Sequence, residues 1–167
     1  TWPIFSGNFF YTETKLEFPK DYLELFAYFN KLNPHQKIAN FPQISPAGWT
    51  KYRWGYIGSG FLWYGLNQPI LDRNFDVWGS FNENYYWEIS QAIYAGNPRQ
   101  FYETLKKYDI EWLILDVTML GFHAPKAVYL DRLERLLTHF SNIRLERVFG
   151  NIKVYRVNLD AKSREGI

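Results

Sequence analysis

Ile110-Glu111-Trp112-Leu113-Ile114-Leu115-Asp116-Val117 is the stretch that decides the fold. Ile110, Trp112 and Ile114 alternate on one face and Leu113, Leu115 and Val117 on the other, so the segment is apolar on both sides. A central strand covered by helices on both faces buries that pattern. The rest of the chain supplies the coverings. Pro19 opens a helix whose Tyr22, Leu25, Phe26, Phe29 and Leu32 recur at spacings of three and four, and Asn33-Pro34 stops it. Lys37 to Phe41, before Pro42, reads as a short strand. Asn82 or Asn84 caps a second helix in which Tyr86, Ile89 and Ile93 share a face. Asn97 as N-cap and Pro98 at the first helical position open a third, with Phe101, Leu105 and Tyr108 as its buried stripe.

After a loop from Thr118 to Ala124, Pro125 begins a further helix carrying Leu130, Leu133, Leu137 and Phe140 on one side. Ile143 to Phe149 and Ile152 to Val157 alternate, and Gly150-Asn151 between them fits a two-residue hairpin turn. The order predicts an α/β fold: a mixed sheet of about 4–5 strands flanked by helices, with an antiparallel C-terminal hairpin. Residues 42–81 stand apart as a long aromatic, Gly-rich insertion, within which Gln68 to Phe75 can add one short strand. The expected organisation is one domain over residues 1–159 with a frayed polar tail over 160–167.

Length and composition agree with one domain: 167 residues, 47% hydrophobic, and a net charge of only +2. That charge gives nucleic acid no basic patch to meet. The chain has no Cys, which excludes disulfide scaffolds, thiol catalysis and Cys-ligated metal centres. His35, His123 and His139 fall in unrelated contexts, so neither a metal nor a cofactor is expected. No apolar run approaches the roughly 18–20 residues that cross a bilayer, so the chain as given is expected to be soluble. It begins Thr1-Trp2-Pro3-Ile4-Phe5 rather than with Met, which reads as a cut point in a longer protein.

The unusual quantity is the 20% aromatic content, and it is unevenly placed. Thirteen of the 39 positions from Trp49 to Trp87 are aromatic, and they include five of the seven Trp. Two readings follow. Flat rings with polar tips suit sugar rings or membrane headgroups; equally, a Gly-rich segment with no regular scaffold needs a core of its own, which large aromatics supply. The candidate ligand-binding residues are Trp54, Tyr56, Trp63, Tyr64, Asp72, Arg73, Asp76 and Trp78. Asp72, Arg73 and Asp76 form the compact charge group here. Two carboxylates across a bond can hydrolyse glycosides, whereas an Arg held by two local acids is a structural device. Gly55-Tyr56-Ile57-Gly58-Ser59-Gly60 lacks the preceding strand, following helix and Lys of a phosphate-cradling loop. Asp116 ends the central strand, where open α/β sheets bind ligands; its other reading is a turn residue capping Thr118.

Taken together, Phe18-Pro19-Lys20-Asp21-Tyr22 before a helix, Lys37-Ile38-Ala39-Asn40-Phe41-Pro42, Gly58-Ser59-Gly60-Phe61-Leu62-Trp63-Tyr64-Gly65, Gln68-Pro69-Ile70-Leu71-Asp72-Arg73 and Tyr108 to Asp116 form an arrangement with a known likeness. It resembles the soluble extracytoplasmic C-terminal domain of bacterial multi-pass membrane proteins, of the lipid-linked-sugar (GT-C type) glycosyltransferase kind, over roughly Trp2 to Val157. In such enzymes the catalytic carboxylates generally lie in loops of the membrane-spanning part. Some oligosaccharide-transferring members carry a Trp-Trp-Asp-Tyr-Gly acceptor motif; the nearest text here, Tyr52-Arg53-Trp54-Gly55-Tyr56, has no Asp, so acceptor recognition does not carry over.

The resemblance implies a non-catalytic extracytoplasmic domain of a membrane protein in envelope glycan assembly. Its partner would be the membrane-spanning part of the same polypeptide, with a glycan or lipid-linked sugar as a further one. Two other functions compete with it. One is a carbohydrate-binding module stacking sugars on Trp54, Tyr56, Trp63 and Trp78; the other is a glycoside-processing enzyme using Asp72 and Asp76.

Overall fold

The computed structural model describes residues 16–43, 50–58, 60–72, 79–120 and 130–159. Its main layer is a five-stranded mixed sheet in the order β4-β1-β5-β8-β7. Here β1 is Lys37–Phe41, β4 Ile70–Leu71, β5 Ile110–Asp116, β7 Ile143–Phe149 and β8 Ile152–Val157. β4 and β5 both run parallel to β1, while β8 is antiparallel to β5 and to β7. The central position of β5 follows from its two apolar faces, because only an interior strand has both covered.

Helices α2 (Ser80–Ala95), α3 (Pro98–Lys107) and α4 (Leu130–Leu137) bury their apolar sides against one face. Tyr85, Ile89, Phe101, Leu105, Leu133 and Leu137 there meet Ala39, Leu113 and Leu115. Helix α1 (Lys20–Phe29) covers the other face, with Tyr22, Leu25 and Phe29 against Ile38, Trp112, Ile114 and Val154. Burying one such Leu or Phe is worth about 1.5–3 kcal/mol, so this stripe is a large part of what holds α1 in place.

Ile110 departs from the expected alternation. It packs with Leu113 and Leu115 rather than with Trp112 and Ile114. The cause is a bulge: Lys37 pairs with Ile110 but Ile38 with Trp112, leaving Glu111 as the extra residue. One inserted residue flips the side of everything before it. Asp109, just upstream, takes a left-handed φ of 59°, a conformation Asp tolerates better than most residues.

The helix boundaries also moved. The second helix begins at Ser80 with Gly79 before it, ahead of both Asn82 and Asn84, and its buried aromatic is Tyr85 while Tyr86 is half-buried. Asn97 caps α3 as expected, its side chain accepting from the Gln100 N–H at 3.1 Å. Residues 121–129, which include Pro125, lie outside the described residues, and α4 is described from Leu130.

Part of the supposedly irregular insertion is a second sheet. β2 (Thr50–Tyr52) pairs antiparallel with β3 (Ile57–Gly58) and with β6 (Met119–Leu120), and a single 3-10 turn spans Leu62–Tyr64. Residues 118–120 are thus not merely loop: β6 ties the segment after β5 to the insertion. Tyr52, Phe61, Leu62 and Met119 from this small sheet and turn join the α1 side of the core.

Candidate functional site

The carboxyl end of β5, the tip of the β7–β8 hairpin, the start of α1 and the β2–β3 turn converge on one place. They enclose a cleft of about 340 Å³ lined by Asp21, Tyr22, Arg53, Trp54, Thr118 and Asn151, among others. Its floor is a wired polar cluster. The Tyr22 hydroxyl donates to Asp116 Oδ2 at 2.5 Å, and the Thr118 hydroxyl and N–H donate to Asp116 Oδ1 at 2.7 and 2.8 Å. Trp54 Nε1–H in turn donates to the Tyr22 oxygen at 3.4 Å. Tyr22 and Thr118 both donate to Asp116, which is the pattern that a buried carboxylate requires.

The electrostatics agree with Tyr22 as the donor. Burial pushes the Asp116 carboxyl above the usual carboxylate range, opposed by the hydrogen bonds from Tyr22 and Thr118. Burial and the Asp116 charge together push the Tyr22 hydroxyl far above its ordinary value, so Tyr22 keeps its proton and donates it. Asp116 is 1% exposed and accepts from Tyr22, Thr118 and the Met119 backbone, an arrangement that fixes α1, β5 and the segment entering β6 to one another. The turn reading of Asp116 is the one these bonds show: it caps Thr118 at the end of the strand.

Of the predicted ligand-binding residues, Trp54 and Tyr56 flank Gly55 in the β2–β3 turn and stack on each other, with centroids 5.5 Å apart and planes at 19°. Trp54 also meets Phe18, Tyr52 and Phe61 at 5.4–5.7 Å, and Phe61 meets Tyr22 edge-on at 4.8 Å. These rings are the insertion's own core, and both Trp54 and Tyr56 are half-buried in it. Trp63 and Tyr64, on the 3-10 turn, instead face outward at 39% and 86% exposure. Trp87 is exposed on α2.

Asp72 lies at the end of β4 and is 4% exposed, close enough to Tyr52 and Tyr85 to raise both hydroxyls beyond what their burial does. Arg73, Asp76 and Trp78, two of them members of the Asp72, Arg73 and Asp76 grouping, lie outside the described residues. Among the described residues no three His, Cys, Asp or Glu side chains come together as a metal ion would need.

Sequence reasoning named Asp116 and Trp54 separately but not their link through Tyr22, which is 94 positions from Asp116. Nor did it name Asp21, Arg53 and Asn151 on the cleft wall. The available signal was the rule that open α/β sheets work at the carboxyl ends of their strands.

No protein-family model and no curated protein matches the sequence. The fold nevertheless has solved counterparts in domains carried by sugar-transferring enzymes. One is part of the arabinofuranosyltransferase AftD from Mycobacteria: 84% of this chain superposes with a TM-score of 0.70 at 12% identity, and the chain spans only 12% of that protein's length. Another is the C-terminal globular domain of an oligosaccharyltransferase from Archaeoglobus fulgidus, matched over 86% of this chain and 100% of that one, with a TM-score of 0.53 at 11% identity. Among the described residues no helix is long and apolar enough to cross a membrane.

Proposed function

We propose that this chain is a non-catalytic, extracytoplasmic domain of a bacterial membrane glycosyltransferase engaged in envelope glycan assembly, working beside the membrane-spanning part of its own polypeptide. The observation that carries the reading is the fold shared over 84% of the chain with a portion of an arabinofuranosyltransferase some seven times as long. The polar cluster is consistent with a structural role. Asp116 accepts from Tyr22 and Thr118 and is sealed from solvent, so it has no free oxygen facing the cleft to take a proton from a substrate.

Binding of a glycan in the cleft is the second reading, favoured by its size and by the mixture of Trp54 with Asp21, Arg53 and Asn151 around one opening. The glycosidase reading finds less support, because Asp72 is buried and does not line the cleft. Reading the coding sequence upstream of Thr1 tests the main proposal. In-frame apolar spans of about 20 residues are expected there; a start codon with no such span before Thr1 would refute it.

A further inference from the structure

The C-terminal hairpin gathers three arginines on one face. Its register sets Arg144 directly opposite Arg156 and Arg147 opposite Val154, which leaves Glu146 as an extra residue between the two pairs. In a regular strand Arg144 and Arg147 would point to opposite sides of the sheet; the bulge turns them to the same side. That side is the one α1 covers, because Val154 is buried there, and so is Trp112, the partner of Arg156 on β5. Two residues of β8 separate Arg156 from Val154, so the backbones of Arg144 and Arg147 stand about 7 Å apart.

The three guanidiniums differ in what holds them. Arg156 Cζ lies 4.4 Å from the centroid of the Trp112 ring, and Arg156 Nη2 donates to Glu111 Oε2 at 2.7 Å. Arg147 Cζ lies 5.7 Å from the centroid of Tyr28, whose ring meets Trp112 edge-on at 6.2 Å. Arg144 donates from Nε to the Ser141 carbonyl at 3.2 Å, which leaves its terminal N–H groups for another partner. Arg144 and Arg147 are both exposed, and among the described residues neither has a carboxylate partner; Glu146, between them in sequence, pairs with neither.

Like charges directly opposite one another weaken a strand pair, so Arg144 and Arg156 work against the hairpin that carries them. A bulge that brings Arg147 to the same face adds to that repulsion, and an anion held between the arginines reverses it. A carboxylate has two oxygens, which a single guanidinium satisfies; a phosphoryl group offers three and suits two guanidiniums together. We propose that Arg144 and Arg147, with Arg156 behind them, bind a phosphoryl group. None of the three lines the cleft near Asp116, and the site does not depend on the membrane setting proposed above.

The test follows urea unfolding of the 167-residue chain at fixed ionic strength with pyrophosphate, with succinate and with neither, beside co-sedimentation with phosphatidic acid or phosphatidylcholine vesicles. Pyrophosphate is expected to raise the midpoint by an amount that grows with its concentration, and succinate to do so far less. Arg144→Gln and Arg147→Gln should each weaken pyrophosphate binding about ten-fold or more. Arg99→Gln, on α3 and ion-paired with Glu103, should bind as the native chain does. With no ligand present Arg144→Gln should raise the midpoint, because it relieves the pair with Arg156. A lowered midpoint would make Arg144 a structural residue and overturn the proposal. So would equal responses from all variants, no response of the native chain to either pyrophosphate or phosphatidic acid, or succinate acting as well as pyrophosphate, which would make an acidic protein segment the ligand. Capture by phosphatidic acid but not phosphatidylcholine vesicles, lost in the Arg144 and Arg147 variants, assigns the phosphoryl group to a lipid headgroup. Stabilisation by pyrophosphate without capture assigns it to a soluble phosphate compound.

Discussion

At the scale of residues, the structure turns on one buried carboxylate. Asp116 has its pKa raised by burial, so the stability tied to it is fully present below the ordinary Asp value and is lost as pH rises through the raised one. The Tyr22 hydrogen bond works in the opposite direction, lowering that pKa and easing the loss. Removing the donor therefore hurts most when Asp116 is charged. Tyr22→Phe should cost about 1–3 kcal/mol at neutral pH, the usual penalty for leaving a buried acceptor unpaired. The deficit should shrink in acid where the carboxyl is protonated. Urea midpoints of the two proteins across pH check both parts, and a deficit independent of pH would show that Asp116 does not depend on Tyr22.

Close backbone approach matters more than propensity among the short elements. A Cβ on Gly65 would lie 2.3 Å from the Phe26 ring, so the end of the 3-10 turn exists because α1 can press an aromatic face onto bare backbone. Gly65→Ala should cost about 1–3 kcal/mol through that overpacking and change the near-ultraviolet circular dichroism of the aromatic cluster. Unfolding curves measure the first effect; an unchanged curve would mean that Phe26 swings away freely. At Gly150 the requirement is different: φ is +53° and Asp21 Oδ2 accepts from the Asn151 N–H at 3.3 Å, tying the hairpin tip to α1.

The same scale shows what could be read in advance. β5, the α1 stripe, the Asn97 cap and the hairpin were legible because each spans enough residues for a period, a cap or a turn dipeptide to register. β2, β3 and β6 were not, since elements two or three residues long carry no measurable period and owe their existence to partners far away in sequence. The bulge at Glu111 was equally silent, because a strand apolar on both faces looks the same with or without one extra residue. Tyr22 read as an ordinary core tyrosine on its helix, and only the fold brought its hydroxyl to Asp116.

For the whole molecule, the described aromatics of the insertion and of the start of α1 fall into an inward and an outward group. Phe18, Tyr22, Tyr52, Trp54, Tyr56 and Phe61 interlock and give a Gly-rich segment the core that regular structure would otherwise supply. Trp63 and Tyr64, one turn further on, face outward.

The central claim, that this domain stands outside the cytoplasm on a membrane-spanning polypeptide, can be tested through the absence of Cys from the chain. A single Cys introduced as Lys106→Cys, at an exposed position of α3, in the full-length polypeptide with every cysteine outside this chain replaced by Ser, would be treated with a membrane-impermeant maleimide in intact cells. Labelling of the membrane-bound protein before lysis, absent from the parent without that Cys, is the predicted result. Labelling only after the membrane is opened, or recovery of the polypeptide free of the membrane fraction, would contradict the account.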